Sequence, residues 1–158
     1  MTEPTLDQKV VSLYQTLTEA GIPAAIGGAI ALGFYGEPRM TVDVDLNLFV
    51  EAERFDEVAE ILGPLGVDAT ADRSRVEERE QVRLMWGRNA VDLFFAYDTF
   101  HDAMRAWTRT VPFAGEKIEI LAPEHLIVCK AASDRPKDWI YIEQMLIAVD
   151  QIDRDELF

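Results

Sequence analysis

The segment VDVDLNLF at residues 42–49 limits what the chain can fold into more than any other stretch. Side chains alternate faces along a strand. Val42, Val44, Leu46 and Leu48 therefore share one face, and Thr41, Asp43, Asp45, Asn47 and Phe49 share the other. The first face suits a core. The second is a polar row whose two carboxylates lie about 6.5–7 Å apart. That spacing lets both reach one cation, or two adjacent ones, with phosphate oxygens completing the shell. An ordinary solvated strand face is the competing reading. A second Asp-x-Asp pair, Asp153 and Asp155, lies in a polar tail and is assigned to solvent.

Two neighbours strengthen the first reading. Upstream, Gly27 and Gly28 join an apolar run to a small-residue helix pattern, where backbone amides can approach an anion. Arg39, four residues before Asp43, can reach the same mouth. Downstream, Asp92 sits in AVDLFFAY among Val91, Leu93, Phe94 and Phe95. A carboxylate in so apolar a strand is costly unless paired or metal-bound. If this strand lies beside 42–49, Asp92 completes a cluster of three acids whose repulsion a divalent cation would relieve.

Thr5 and Gln8 form a capping box that opens a helix with Leu6, Val10, Leu13 and Leu17 as its stripe. AAI is a short strand, GGAIALGFYG a turn running into a short helix, and AERFDEVAEIL an amphipathic helix burying Phe55, Val58, Ala59 and Leu62. VDAT reads as a strand. QVRLMWG and AVDLFFAY pair as a hairpin through a turn at Gly87–Asn89. A helix near 99–107 precedes short strands at TVPF and KIEIL, and two helices, from Pro123 and through KDWIYIEQMLIAV, close the chain. Helices at both ends with hairpins between them imply an α+β fold with a mixed sheet.

The 158 residues suit one domain, spanning 1–158. No run approaches the roughly 18 apolar residues of a membrane span, and the first ten residues lack a signal peptide's basic and apolar regions. With Cys129 as the single cysteine, read as core packing, a cytoplasmic protein is expected. The net charge of −14 disfavours nonspecific binding of bulk DNA. It leaves open a nucleotide held through a metal.

Taken together, GGAIALGFYGEPRMTVDVDLNLFV, the later VDLF and LAPEHLIVCKAASDRPKDWIYIEQML resemble the nucleotidyltransferase superfamily, and within it the AbiEii-type toxins of type IV toxin–antitoxin systems. The likeness spans about residues 22 to 147 and rests on the order and spacing of the three blocks. It implies a nucleotidyltransferase-like mixed β-sheet flanked by helices, with C-terminal helices beyond it. It also implies transfer of a nucleoside monophosphate from a nucleoside triphosphate to an RNA, protein or small-molecule acceptor. Gly27, Gly28, Asp43 and Asp45 match the family's first motif, and Asp92 its later metal-binding acid. Lys130, Lys137 and Asp138 match the C-terminal block. The resemblance implies that Asp43 and Asp45 bind Mg²⁺ (or Mn²⁺), that Asp92 helps activate the acceptor hydroxyl as metal ligand or base, and that the lysines neutralise phosphate charge, with Asp138 capping or orienting Lys130 or Lys137. An antitoxin partner is part of the same implication. Many members carry serine at the Gly28 position, and many carry an acid where this chain has Tyr141.

Other residues read as structural. RSRVEEREQVR offers Arg73, Arg75, Arg79 and Arg83 as an RNA contact, but its interleaved glutamates favour a solvated, mobile segment. His101 and His125 lack zinc-site spacing, and Trp86, Trp107 and Trp139 are read as core or partly buried packing. Two rival functions use the same residues: a non-catalytic nucleotide- or partner-binding module, and a metal-dependent phosphohydrolase with water as acceptor.

Overall fold

The computed structural model describes residues 3–36, 40–70, 73–133, 135–149 and 152–157. Helix α1 (Leu6–Glu19) opens with the expected box: the Thr5 hydroxyl accepts from the Gln8 amide, and the Gln8 side chain accepts from the Thr5 amide. Val10, Leu13 and Leu17 of its stripe are fully buried. Strand β1 (Ala24–Ile26) leads into the short helix α2 (Gly28–Leu32), and β2 (Asp43–Leu48) follows. Helix α3 (Phe55–Leu62) buries Phe55, Val58 and Leu62. Helix α4 (Arg73–Arg79) then enters the hairpin of β3 (Gln81–Trp86) and β4 (Asn89–Phe95).

Helix α5 (Thr99–Ala106), the hairpin β5 (Arg109–Phe113) and β6 (Glu116–Ile120), and helices α6 (Pro123–Ser133), α7 (Pro136–Ala148) and α8 (Arg154–Leu157) complete the order. The strands form one mixed sheet in the order β3-β4-β2-β1-β6-β5. Strand β2 runs parallel to β4 and antiparallel to β1. This is the α+β architecture anticipated, with helices flanking a six-stranded sheet.

Strand alternation explains why β2 carries both a core and a site. Val44, Leu46 and Leu48 are buried with Val91, Leu93 and Phe95 of β4. Val42 does not join them; it precedes the first ladder pair and is 63% exposed. A fully buried lysine holds the hairpin turn to α1: Lys9 Nζ donates to Glu3, to the Trp86 carbonyl at 2.8 Å and to Asn89 Oδ1 at 2.7 Å. Every polar contact of that ammonium is thereby met by an acceptor, the condition for burying a lysine.

Two expectations are overturned. VDAT is not a strand but makes a single bridge from Asp68 to Met85, because Asp68 Oδ1 accepts from the Thr70 amide and hydroxyl and turns the chain. The arginine-rich segment is not a loose loop; residues 73–79 are helical, and Val76 is buried under them. Trp86 is buried as expected and Trp107 is partly exposed, while Trp139 is half exposed on α7. No helix among the described residues is long and apolar enough to cross a membrane.

Candidate functional site

Register alone assembles the acidic row. The β2–β4 ladder sets Asp45 opposite Asp92, and Asp43 opposite Ala90. On the far side of β4, the β3 hairpin sets Arg83 opposite Asp92. Arg83, Asp92 and Asp45 thus lie in one line across three strands, with Asp43 two residues along β2. The strand adjacency that a three-acid cluster requires is present.

The charges in this row are unequal. Arg83 donates to Asp92 from Nε at 2.8 Å and from Nη2 at 3.0 Å, a two-pronged pairing. The same Nη2 reaches Asp43 Oδ2 at 3.5 Å. Asp45 has no such cation among the described residues. Burial, then the charge of Asp92 and a hydrogen bond with it, push its pKa up to about 6; Lys130 pulls the other way, and Asp43 adds a smaller upward push. Burial and the neighbouring like charge both disfavour the ionised form of Asp45.

Gly28 stands over Asp45. Its φ is +58°, and a Cβ there would overlap the Asp45 carboxylate. Glycine is therefore required here by the acid beneath it, which accounts for the missing serine. Gly27 has a different job: its amide donates to the Asp45 carbonyl at 2.9 Å, fixing β1 to β2. The amides opening α2 after Gly27 have no partner within the helix by geometry.

Lys130 and Asp138 come from the two helices that close the cleft. Lys130 Nζ lies 3.3 Å from Asp138 Oδ1 and 5.2 Å from the centre of the Tyr141 ring. Arg135 Nε donates to Asp138 Oδ2 at 2.7 Å, and Nη2 donates to Oδ1 at 3.2 Å. Asp138 is fully buried. Burial works against its charge, but the Arg135 hydrogen bond and the Lys130 ammonium outweigh it and hold its pKa below the usual 3.8. Asp138 is thus the anchor of two cations, and Tyr141 lies under the Lys130 ammonium where many relatives carry an acid.

A folded-state pKa that is lowered contributes stability above the unfolded value, lost as pH falls through the folded one. Asp138→Asn is accordingly expected to lower stability by about 3 kcal/mol at neutral pH. The deficit should shrink in acid, and a chemical denaturation series from pH 7 to 3 reads it. An unchanged midpoint at neutral pH would contradict the anchoring role.

A cleft of about 690 Å³ is lined by Asp43, Asp45, Asp92, Lys130, Lys137 and Tyr141, among others. Lys137 is exposed and lines that cleft. A second cavity of about 420 Å³ continues from Asp45 and Lys130 toward Phe94, Tyr97, Phe100 and Met104. A third, of about 560 Å³, is lined by Asp92 and Arg83 with Arg75 and Arg79 of α4. Arg39 falls outside the described residues.

Arg83 is the site residue that sequence reasoning missed. Its signal is there to be read: a two-residue turn at Gly87-Arg88 pairs residue 86 with 89, and hence 83 with 92. Of the residues read as structural, Cys129 and His101 line the cavity of about 420 Å³. Burial pushes the Cys129 thiol up to about 11 despite the Lys130 charge. His125 is buried with Nε2 on Glu156 at 2.8 Å, and His101 Nδ1 lies 2.8 Å from Asp98 at the start of α5.

Among the described residues, no three His, Cys, Asp or Glu side chains stand ready as a metal cluster. Asp92 is turned to Arg83 instead. The donor set is nevertheless all carboxylate oxygen, which suits a hard divalent cation. A bound cation would favour the ionised form of Asp45, against the burial and the Asp92 charge that push its pKa up.

Solved structures share this fold. The antibiotic-resistance factor ANT(2'')-Ia matches with a TM-score of 0.66 at 19% identity, covering 99% of this chain and 89% of that one. The same factor is also solved with adenylyl-2''-tobramycin. The lincomycin-bound lincosamide antibiotic adenylyltransferase LnuA matches at 0.63 and 10% identity, covering 94% of this chain and 100% of that one. A putative nucleotidyltransferase from Thermotoga maritima matches at 0.59 and 15%, covering 93% and 96%. At these identities the likeness is one of fold. No curated protein sequence matches the chain. The model of a family described as nucleotidyl transferase of unknown function (DUF2204) matches residues 6–155.

Proposed function

The chain belongs to that nucleotidyl transferase family, and on this premise we propose that it moves a nucleoside monophosphate from a nucleoside triphosphate to a hydroxyl of a small-molecule acceptor. The observation that carries the proposal is the register pairing of Asp45 with Asp92, beside Asp43 and beneath Gly28. In the reaction the acceptor oxygen bonds to the α-phosphorus and the bond to the bridging β-phosphate oxygen breaks. Pyrophosphate leaves with that electron pair.

Asp43, Asp45 and Asp92 would hold Mg²⁺ or Mn²⁺, which when bound neutralises triphosphate charge and polarises the reacting oxygens. The chain's own groups do the rest. Lys130 and Lys137 face the triphosphate with positive charge, in positions that Asp138 and Tyr141 fix for Lys130. Asp92 takes the acceptor's proton once Arg83 releases it. The aromatic cavity by Phe94, Tyr97 and Phe100 suits the flat nucleobase.

A small molecule is favoured as acceptor on two grounds. The fold neighbours include adenylyltransferases of antibiotics, and a net charge of −14 opposes an RNA chain. The narrower AbiEii-type reading, with an RNA or protein acceptor and an antitoxin, competes on the acceptor alone. A non-catalytic module has one observation in its favour: Arg83 occupies Asp92 and Asp43.

Pyrophosphate release from each nucleoside triphosphate, measured with pooled small hydroxylated compounds, RNA and no acceptor, separates these readings. Release that requires the small compounds is expected. Nucleotide binding with no release under any condition would favour the module, and phosphate release without an acceptor the phosphohydrolase.

Arg83 also sets a prediction of its own. As the resident cation of Asp92, it competes with a divalent ion. Arg83→Gln is expected to tighten Mg²⁺ binding by roughly two- to fivefold, the range of an exposed ion pair, when Mg²⁺ is titrated calorimetrically. Unchanged or weaker binding would mean that Arg83 and the metal do not share the site.

A further inference from the structure

We infer that the acceptor carries an anionic group, a phosphate or a carboxylate, which Arg75 and Arg79 bind in the cavity on the α4 side of Asp92. The inference rests on the nucleotidyl-transfer reading of the acidic row, and it names the acceptor's class.

The geometry starts from α4. Arg75 and Arg79 are four residues apart on this helix and so share a face, while buried Val76 fastens the helix to the core. Together with Arg83 they line the cavity of about 560 Å³ that Thr70, Asp92 and Phe94 also bound. Glu77 and Glu78, whose presence in the sequence argued against a basic site, are not among its lining residues. Asp92 is the one carboxylate among the described residues that line it, and Arg83 already pairs with it. Neither Arg75 nor Arg79 forms an ion pair among the described residues. The cavity therefore presents two uncompensated guanidinium groups in a chain of net charge −14.

Position gives those charges a role. The triphosphate's cations, Lys130 and Lys137, line the adjoining cleft, and Arg79 also lines the cavity that Asp45 and Lys130 share. Arg83, Asp92 and Phe94 are common to both spaces. A molecule seated against Arg75 and Arg79 can thus present a hydroxyl at Asp92, where the adjoining cleft brings the triphosphate. Guanidinium forks suit phosphate and carboxylate oxygens. The same charge would repel a polycation, so the acceptor class differs from an aminoglycoside such as tobramycin. The volume is that of a small-molecule pocket, and the overall acidity opposes a polyanion whose charge extends beyond it.

The test uses probes on one carbon skeleton: glucose, gluconate and glucose 6-phosphate, with tobramycin as the cationic comparison. Each is titrated into the full chain while backbone amide shifts are followed by NMR, in the wild type and in an Arg75→Gln, Arg79→Gln variant. Both substituted side chains are exposed, so the variant should stay folded, and its unperturbed amides report that directly. The expected result is saturable shifts at residues 75–83 for the two anions only, with affinity at least tenfold weaker in the variant. Binding of glucose or tobramycin at these residues as tight as that of the anions would overturn the inference. So would anion shifts confined to the Lys130 and Lys137 cleft, or shifts insensitive to the double substitution. Failure of the transfer reading shows elsewhere, as absence of pyrophosphate release, and leaves the probe titration interpretable.

Discussion

Asparagine in place of Asp45 should abolish transfer and, in metal-free buffer, make the protein more stable at neutral pH. The first effect follows from removing the central charge of the acidic row, a loss on the order of 10³-fold. The second follows from the direction of its pKa. A carboxyl raised from 3.8 to about 6 on folding binds its proton more tightly in the folded state. That contribution is complete below the unfolded value and is lost as pH rises through about 6. At pH 7 the wild type therefore carries a half-buried negative charge that asparagine does not. Asp45→Asn should gain about 1–3 kcal/mol at pH 7, with the advantage vanishing below pH 4, and saturating Mg²⁺ should narrow it by stabilising only the wild type. Denaturant midpoints across pH, with and without EDTA, measure each part. A destabilised Asp45→Asn at pH 7 would contradict the account of the site's electrostatics.

Gly28→Ser should fail even though it supplies the hydroxyl that many relatives have at this position. A side chain at φ +58° is strained, and its Cβ would overlap the Asp45 carboxylate. We expect a loss of about 2–3 kcal/mol in stability. A displacement of Asp45 by about 1 Å would lower turnover roughly 100-fold. Gly28→Ala carries the same backbone strain without the hydroxyl and should behave alike. Full activity and an unchanged melting temperature in Gly28→Ser would show that the close approach of Gly28 to Asp45 does not constrain the site.

Much of the site is legible in the order of the residues, for reasons that can be named. Period-2 alternation puts Asp43 and Asp45 on one face, and an apolar setting marks Asp92 as a carboxylate in need of a partner. Their adjacency is not legible, since a parallel β2–β4 pairing joins segments more than 40 residues apart with no local signal. Arg83 is within reach, because a two-residue hairpin fixes its own register, but its position in a run of arginines draws the reading toward RNA. The helix at 73–79 is hidden by charge: one buried residue, Val76, is too little periodicity to separate it from a solvated loop. At 67–70 strand-like residues are overridden by a side chain, Asp68 Oδ1, that binds the backbone two residues ahead.

The departures from the family pattern are informative in the same way. Gly28 is explained by the carboxylate below it. Tyr141, in place of an acid, sets its ring against the Lys130 ammonium that Asp138 pairs. A second carboxylate there would neutralise Lys130 further and leave less positive charge for a triphosphate.

The most direct test of the central claim is calorimetric titration of a non-hydrolysable nucleoside triphosphate, with Mg²⁺, into the wild type and an Asp43→Ala, Asp45→Ala variant. The account predicts saturable, Mg²⁺-dependent binding in the wild type that disappears in the variant and in EDTA, with circular dichroism unchanged. Equal binding by both proteins, or binding that survives EDTA, would place the triphosphate away from the acidic row and contradict the account.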